Sequence, residues 1–297
     1  MDATQTHLAK TLSHNSPLLS CRFSPSGSMV FAGSEDYQVR RFSLDSDQKT
    51  AFDTDAWVRS LVITKDESTL ITAGYDGRLI WWPAASESPT AIRTVDAHAG
   101  WIRGIALSPD ETLLASVGND LMVKVWEVST GKLIREMSGH DSHIYNVAFH
   151  PSGNNIVTGD LMGNLIDWEV ASGKQLRTWK AESLSKFDKG FVAQIGGFRG
   201  LKFNQDGSQL LGSGITNVTN AFAGVGNPSV VCFDWSTGKQ LTEHLSKGKV
   251  QGVAWGLASH PDGTIIAATG GSGGFLLFWK PGEVNEFHSM KLKDVGR

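Results

Sequence analysis

Short apolar runs recur along this chain at a nearly constant interval, and the same kind of turn separates them. The phrases FSPSG (23–27), LSPDE (107–111), FHPSG (149–153), FNQDG (203–207) and SHPDG (259–263) each follow one apolar run and precede another, with ITKDE (63–67) a weaker copy. Ser, Pro, Asp and Gly clustered in this way supply the backbone angles and local hydrogen bonds of tight turns. After the second run comes a short polar turn, then a third run ending in an aromatic: VRRF (39–42), LIWW (79–82), VKVW (123–126), LIDW (165–168), VCFDW (231–235) and LLFW (276–279). A turn such as STGK or ASGK introduces a fourth, more polar run, for example KLIREM (132–137) or KQLRTW (174–179). Runs of this length and alternation predict strands. Second runs such as LLAS and IIAA are apolar throughout, as expected of strands covered on both faces.

Three strands plus a fourth, repeated six times at about 40 to 45 residues, make an all-β chain of four-stranded antiparallel units with the period of a propeller blade. Composition agrees: 33 Gly and 10 Trp among 297 residues suit many short strands and tight turns. Thirty acidic against 27 basic residues, a formal charge of -3, supply no basic footprint, so neither nucleic-acid binding nor membrane insertion is expected. No apolar stretch approaches the roughly 20 residues of a membrane span, and MDATQTHLAK lacks the basic-then-apolar order of a signal peptide. The expected compartment is the cytoplasm. The acceptor pattern Asn217-Val218-Thr219 then has no meaning as a glycosylation site, and Cys21 and Cys232 act as small hydrophobes.

The repeats resemble the WD40-repeat family of β-propellers over nearly the whole chain. In that family a His before the first strand, a Ser or Thr on the second, an Asp in the following turn and a Trp on the third form a hydrogen-bonded tetrad. The third repeat matches all four with His98, Ser116, Asp120 and Trp126. The same His-to-Asp interval links His14 to Asp36 in the first repeat, where Ala32 and Phe42 replace the Ser and Trp. In the second it links Thr54 to Asp76, with Thr72 and Trp82 completing the set. The fourth has His140, Thr158 and Trp168, but Met162 stands where the Asp belongs. Repeats five and six keep Trp235 and Trp279 without the His and Asp. The resemblance implies a structural role for these residues, because each bond satisfies a polar group that would cost about 1 to 3 kcal/mol if buried unpaired.

Catalytic patterns fare poorly. GGSGG at 270–274 matches a nucleophile elbow in letters, but that turn needs a helix after it and a strand, FLLFW, follows. His140, His143 and His150 are separated by a predicted first strand, which puts the outer two some 20 Å or more apart at about 3.3 Å per residue. No catalytic residue, cofactor site or metal site is expected.

Binding is the better-supported role, because blades present rigid rings of loops. The resemblance places the segment leading into each first strand and the turn after each second strand on one face, the top. Aligned there are Trp57, Trp101 and His143, followed two residues later by Arg59, Arg103 and Tyr145, with Arg199 in the fifth repeat. Tyr75 and Asn119 precede the Asp position in their turns. Trp, Tyr and Arg supply most hot-spot energy in protein interfaces, and Arg also holds carboxylates or phosphates through paired hydrogen bonds. The fifth repeat enlarges two loops on this face, 180–198 and 215–229. The expected function is a non-catalytic scaffold binding a protein or peptide through the top face. A regulatory or sensor module of a larger polypeptide, or an enzyme with its site at the central channel, are the alternatives.

Repeat limits fall at about 13–52, 53–96, 97–138, 139–180, 181–245 and 246–290 of one β-propeller domain. Counting HLAKTL (7–12) as a fourth strand, and EVNEFHSM (283–290) as the last, makes seven fourth strands against six sets of the other three. The expectation is a seven-bladed propeller truncated in its seventh repeat, which 291–297 opens, with Arg297 aligned to Arg59 and Arg103.

Overall fold

A computed structural model describes residues 1–220, 225–248, 250–271 and 273–292. Its strands form six four-stranded antiparallel blades, each in sequence order. The first blade holds β1 (Leu18–Phe23), β2 (Met29–Ser34), β3 (Gln38–Ser43) and β4 (Lys49–Asp53). The second holds β5 (Val58–Ile63), β6 (Thr69–Gly74), β7 (Arg78–Pro83) and β8 (Arg93–Asp96). In the third are β9 (Ile102–Leu107), β10 (Leu113–Gly118), β11 (Met122–Glu127) and β12 (Leu133–Ser138). In the fourth are β13 (Ile144–Phe149), β14 (Asn155–Asp160), β15 (Asn164–Glu169) and β16 (Gln175–Lys180). A two-stranded hairpin, β17 (Ser185–Asp188) and β18 (Ala193–Gly196), precedes the fifth blade. That blade is β19 (Gly200–Phe203), β20 (Gln209–Asn220), β21 (Val225–Asp234) and β22 (Gln240–Leu245). The sixth is β23 (Gly252–Ser259), β24 (Ile265–Gly271), β25 (Gly274–Trp279) and β26 (His288–Leu292).

The chain divides into two compact units, Lys10–Val147 and Met1–Ala9 with Ala148–Arg297. Inside the first, β5 lies against both β1 and β9. Period-two alternation explains why the middle strands are apolar throughout. Leu70 and Ile80 join Phe31, Val39 and Phe52 of the first blade, whereas their chain neighbours Ile71, Leu79 and Trp81 join Ile102, Leu114 and Trp126 of the third. Inside the second unit, Leu210 packs with Val157, Leu165 and Phe198 on one side, and Leu211 with Ala254, Ile265 and Trp279 on the other. A continuous apolar run is thus two half-cores threaded on one strand.

Three expectations need correction. HLAKTL forms no strand. Leu8 stays 59% exposed, so the segment buries too little apolar surface to offset the entropy of ordering it. The last fourth strand runs later than EVNEFHSM, over His288–Leu292, because Glu283 closes a turn back to the Lys280 carbonyl. Fourth strands therefore number six, as do the other sets, among the described residues. Finally, the fifth-repeat insertions are sheet, not loop, in their described parts: 180–198 contains the β17–β18 hairpin, and 215–220 with 225–229 lengthen β20 and β21 beyond the body of the blade, while 221–224 lie outside the described residues. Ser272 of the elbow match, and residues 293–297 with Arg297, lie outside the described residues.

Candidate functional site

In the third repeat four side chains close one network. His98 Nδ1 lies 2.8 Å from Asp120 Oδ1, and its Nε2 lies 2.7 Å from Ser116 Oγ. Trp126 Nε1 donates to that hydroxyl at 2.8 Å, while the amides of Ala99 and Met122 donate to the carboxylate. His98, Ser116 and Trp126 are buried, so every polar atom here is satisfied by a neighbour in the fold.

Other repeats keep parts of this network. His14 Nε2 lies 2.7 Å from Asp36 Oδ2 in the first. Trp82 donates to Thr72 at 3.0 Å in the second, and Trp168 to Thr158 at 2.9 Å in the fourth. Thr54 and Asp76 are not bonded to each other, contrary to their spacing. The Thr54 hydroxyl lies 2.8 Å from the Tyr37 carbonyl and 2.9 Å from that of Ala56. Asp76 instead takes Arg78 Nε at 2.6 Å, since a hydroxyl is too short for the reach of an imidazole. In the fourth repeat His140 is buried, and Asp160 stands two positions before Met162. Fully buried, it accepts from the amides of Met162 and Asn164 at 2.9 Å each. The repeat spacing hid Asp160, and the turn DLMGN was its only signal.

Burial works to raise the Asp120 carboxyl, but the bonds from His98, Met122 and Ala99 outweigh it and hold the group below the ordinary carboxylate range. A folded-state value below the unfolded one, about 3.9, gives stability that is complete above that pH and lost as pH falls through the folded value. Thermal midpoints at fixed ionic strength are therefore expected to fall below about pH 4, and less steeply in Asp120→Asn. Equal slopes in the two proteins would refute this contribution.

The second feature is a rim in the Lys10–Val147 unit. Trp57 and Trp101 immediately precede β5 and β9, and their carbonyls accept the amides of Tyr75 (3.0 Å) and Asn119 (2.9 Å). A Cβ at Gly74 or Gly118 would stand 2.6 or 2.4 Å from these carbonyls, so only glycine lets the second strand approach this closely. With the main chain pinned, the indoles remain 38% and 42% exposed. Tyr75 stands edge-on between them, 5.2 Å from Trp57 and 4.1 Å from Trp101 between ring centroids. The Arg103 guanidinium lies 4.8 Å over Trp101 and 4.9 Å over Tyr145, and its Nε donates to Asn119 Oδ1 at 2.8 Å. Arg59 donates to the Leu19 carbonyl at 3.1 Å. Burial lowers the Arg59 pKa, Tyr75 and Tyr145 oppose that, and the charges of Arg103 and Arg22 add to it.

Of the residues aligned in the sequence, Trp57, Arg59, Tyr75, Trp101, Arg103, Asn119 and Tyr145 thus stand together. His143 is exposed ahead of β13 and makes none of these contacts. Arg199 belongs to the other unit, where it lies 5.2 Å over Trp255. Trp255 escaped the alignment because β23 shifts register between Ala254 and Gly256, which displaces it from the repeat position.

In that unit the fifth-repeat insertions meet. Lys186 Nζ donates to the Val218 carbonyl at 2.6 Å, joining β17 to the extended part of β20. Phe187, Phe191 and Val192 of the β17–β18 hairpin are 49%, 58% and 76% exposed. Among the described residues no group of three His, Cys, Asp or Glu is placed to hold a metal ion, and no helix is long and apolar enough to cross a membrane. His150 stacks on Trp235 with ring centroids 5.3 Å apart.

Compared with known proteins, the chain matches the family described as "WD domain, G-beta repeat" over residues 6–43, 47–83, 89–127, 131–164 and 235–280. It is 29% identical over 159 residues to "Transcription initiation factor TFIID subunit 5" of Caenorhabditis elegans, covering 53% of this chain and 24% of that protein. "Protein groucho" of Drosophila melanogaster is 25% identical over 41% of this chain and 17% of its own length. "Nuclear distribution protein nudF" of Aspergillus niger is 23% identical over 57% of this chain and 41% of its own length. The matched region is less than half the length of each of these relatives.

Proposed function

We propose, from the premise that this chain belongs to the WD40-repeat family, that it is a non-catalytic scaffold whose top face binds a protein partner through the rim of Trp57, Tyr75, Trp101 and Arg103. One observation carries the reading. Two indoles, each about two-fifths exposed, are held rigid by main-chain bonds and by an intervening tyrosine. Rigid aromatic anchors lose little conformational entropy on binding and are the commonest hot spots. The name of one relative, a subunit of a transcription initiation factor, describes a member of a larger assembly and agrees with a scaffold. That name does not favour the cytoplasm, so localisation is not part of the proposal.

The test is proximity labelling with the full chain, wild type against Trp57→Ala plus Trp101→Ala. A hot-spot loss of about 2 kcal/mol or more corresponds to roughly 30-fold weaker binding, so a defined set of partners should disappear while the thermal midpoint is retained. Identical partner sets for the two proteins would defeat the reading.

A further inference from the structure

We propose that this rim recognises an acidic peptide: Arg103 takes the carboxylate of an Asp or Glu side chain, and an apolar residue of the same peptide lies against Trp57 and Trp101. The inference rests on the reading that this face binds a protein. Its basis is how Arg103 is held. A guanidinium donates only in its own plane, through five N–H groups on a rigid fork. Its guanidinium carbon lies over two rings, Trp101 at 4.8 Å and Tyr145 at 4.9 Å. Nε is committed to Asn119, whose own amide is pinned to the Trp101 carbonyl. The remaining edge carries the two terminal nitrogens, and among the described residues neither has a protein acceptor. A fork held at Nε, with both terminal nitrogens uncommitted, fits a planar carboxylate approaching end-on, with two parallel bonds.

The local charge points the same way. Arg59 and Arg103 occupy equivalent second positions of the neighbouring strands β5 and β9, and Arg22 lies on β1. The carboxylates around them are engaged elsewhere. Asp36 is held by His14 and Arg40, Asp76 and Asp55 by Arg78, and Asp120 by His98. Burial lowers the Arg59 pKa and the charges of Arg103 and Arg22 add to it, so an anion placed between them relieves a cost that the folded chain carries. The same charges argue against a methylated ammonium, which aromatic rings alone would otherwise attract.

The experiment selects binders from a display library of random dodecapeptides on the full chain. The preferred peptide is then synthesised with its acidic residue intact, replaced by Gln or Asn, or replaced by phosphoserine. Enrichment of Asp or Glu at one position is expected, with about tenfold or more loss of affinity for the amide peptide. Arg103→Gln should abolish the difference between acid and amide peptides, and Arg103→Lys should restore only part of it, because an ammonium lacks the fork. Loss of binding in Trp57→Ala plus Trp101→Ala with no acidic preference would keep the protein-binding reading and overturn this one. Tighter binding of phosphoserine than of Glu or Asp, enrichment of basic residues, or displacement of the peptide by an oligothymidylate would also overturn it. Recovery of no peptide whose binding depends on the rim would overturn both.

Discussion

Phe198→Ala is expected to lower the free energy of unfolding by about 3 to 5 kcal/mol. The ring is fully buried in the core shared by the fourth and fifth blades. It fills the space over two glycines: a Cβ at Gly159 would lie 2.5 Å from a ring carbon, and one at Gly212 would lie 2.4 Å away. Those glycines belong to β14 and β20, whose ladders hold them in place, so the cavity left by the truncated ring does not close. Gly212→Ala in the parent chain should cost about 1 to 3 kcal/mol through overpacking. In the Phe198→Ala background the same methyl enters empty space. The two costs should therefore fall short of adding. Denaturant titration of the four chains measures the coupling, and additivity within about 0.5 kcal/mol would show that ring and glycine do not share that space.

His98→Ala should cost on the order of 3 kcal/mol, since it removes the imidazole bonds to Ser116 and Asp120, at about 1 to 3 kcal/mol each, and leaves a cavity where a buried ring stood. Ser116 Oγ would keep the indole N–H of Trp126 but lose the imidazole, and Asp120 would keep the amides of Ala99 and Met122 but lose the imidazole. His14→Ala, removed from the incomplete network, should cost about 1 kcal/mol or less. Its partner Asp36 is already 29% exposed at the side chain and has Arg40 at 3.5 Å. Equal shifts of the denaturation midpoint for the two variants would show that the Ser and Trp add nothing to the His to Asp pair.

These two predictions differ in how they could have been found. His98 was visible in the sequence, because four residues at fixed intervals, partly repeated in neighbouring units, leave a periodic trace. Phe198 stands directly before the aligned Arg199, as Val58, Ile102 and Ile144 stand before theirs, so its burial was legible, but only the packing shows that Gly159 and Gly212 are shaped around it. Asp160 and Trp255 were hidden, one by standing two positions off the common spacing and the other by a bulge. The Thr54 to Asp76 spacing was present without the bond, because interval constrains the backbone and not the length of a side chain.

The sequence by itself determined the six blades, their strand order and the alignment of Trp57, Trp101, Arg59 and Arg103, since each follows from a local period that every repeat restates. Tertiary structure decided the rest. It sent alternate residues of one apolar run into two different cores, turned the fifth-repeat insertions into paired strands, and left HLAKTL unpaired. It also placed the Arg103 guanidinium over the rings of Trp101 and Tyr145. These outcomes depend on which blade stands beside which and on what each side chain can reach across the gap, and a one-dimensional pattern carries no term for either.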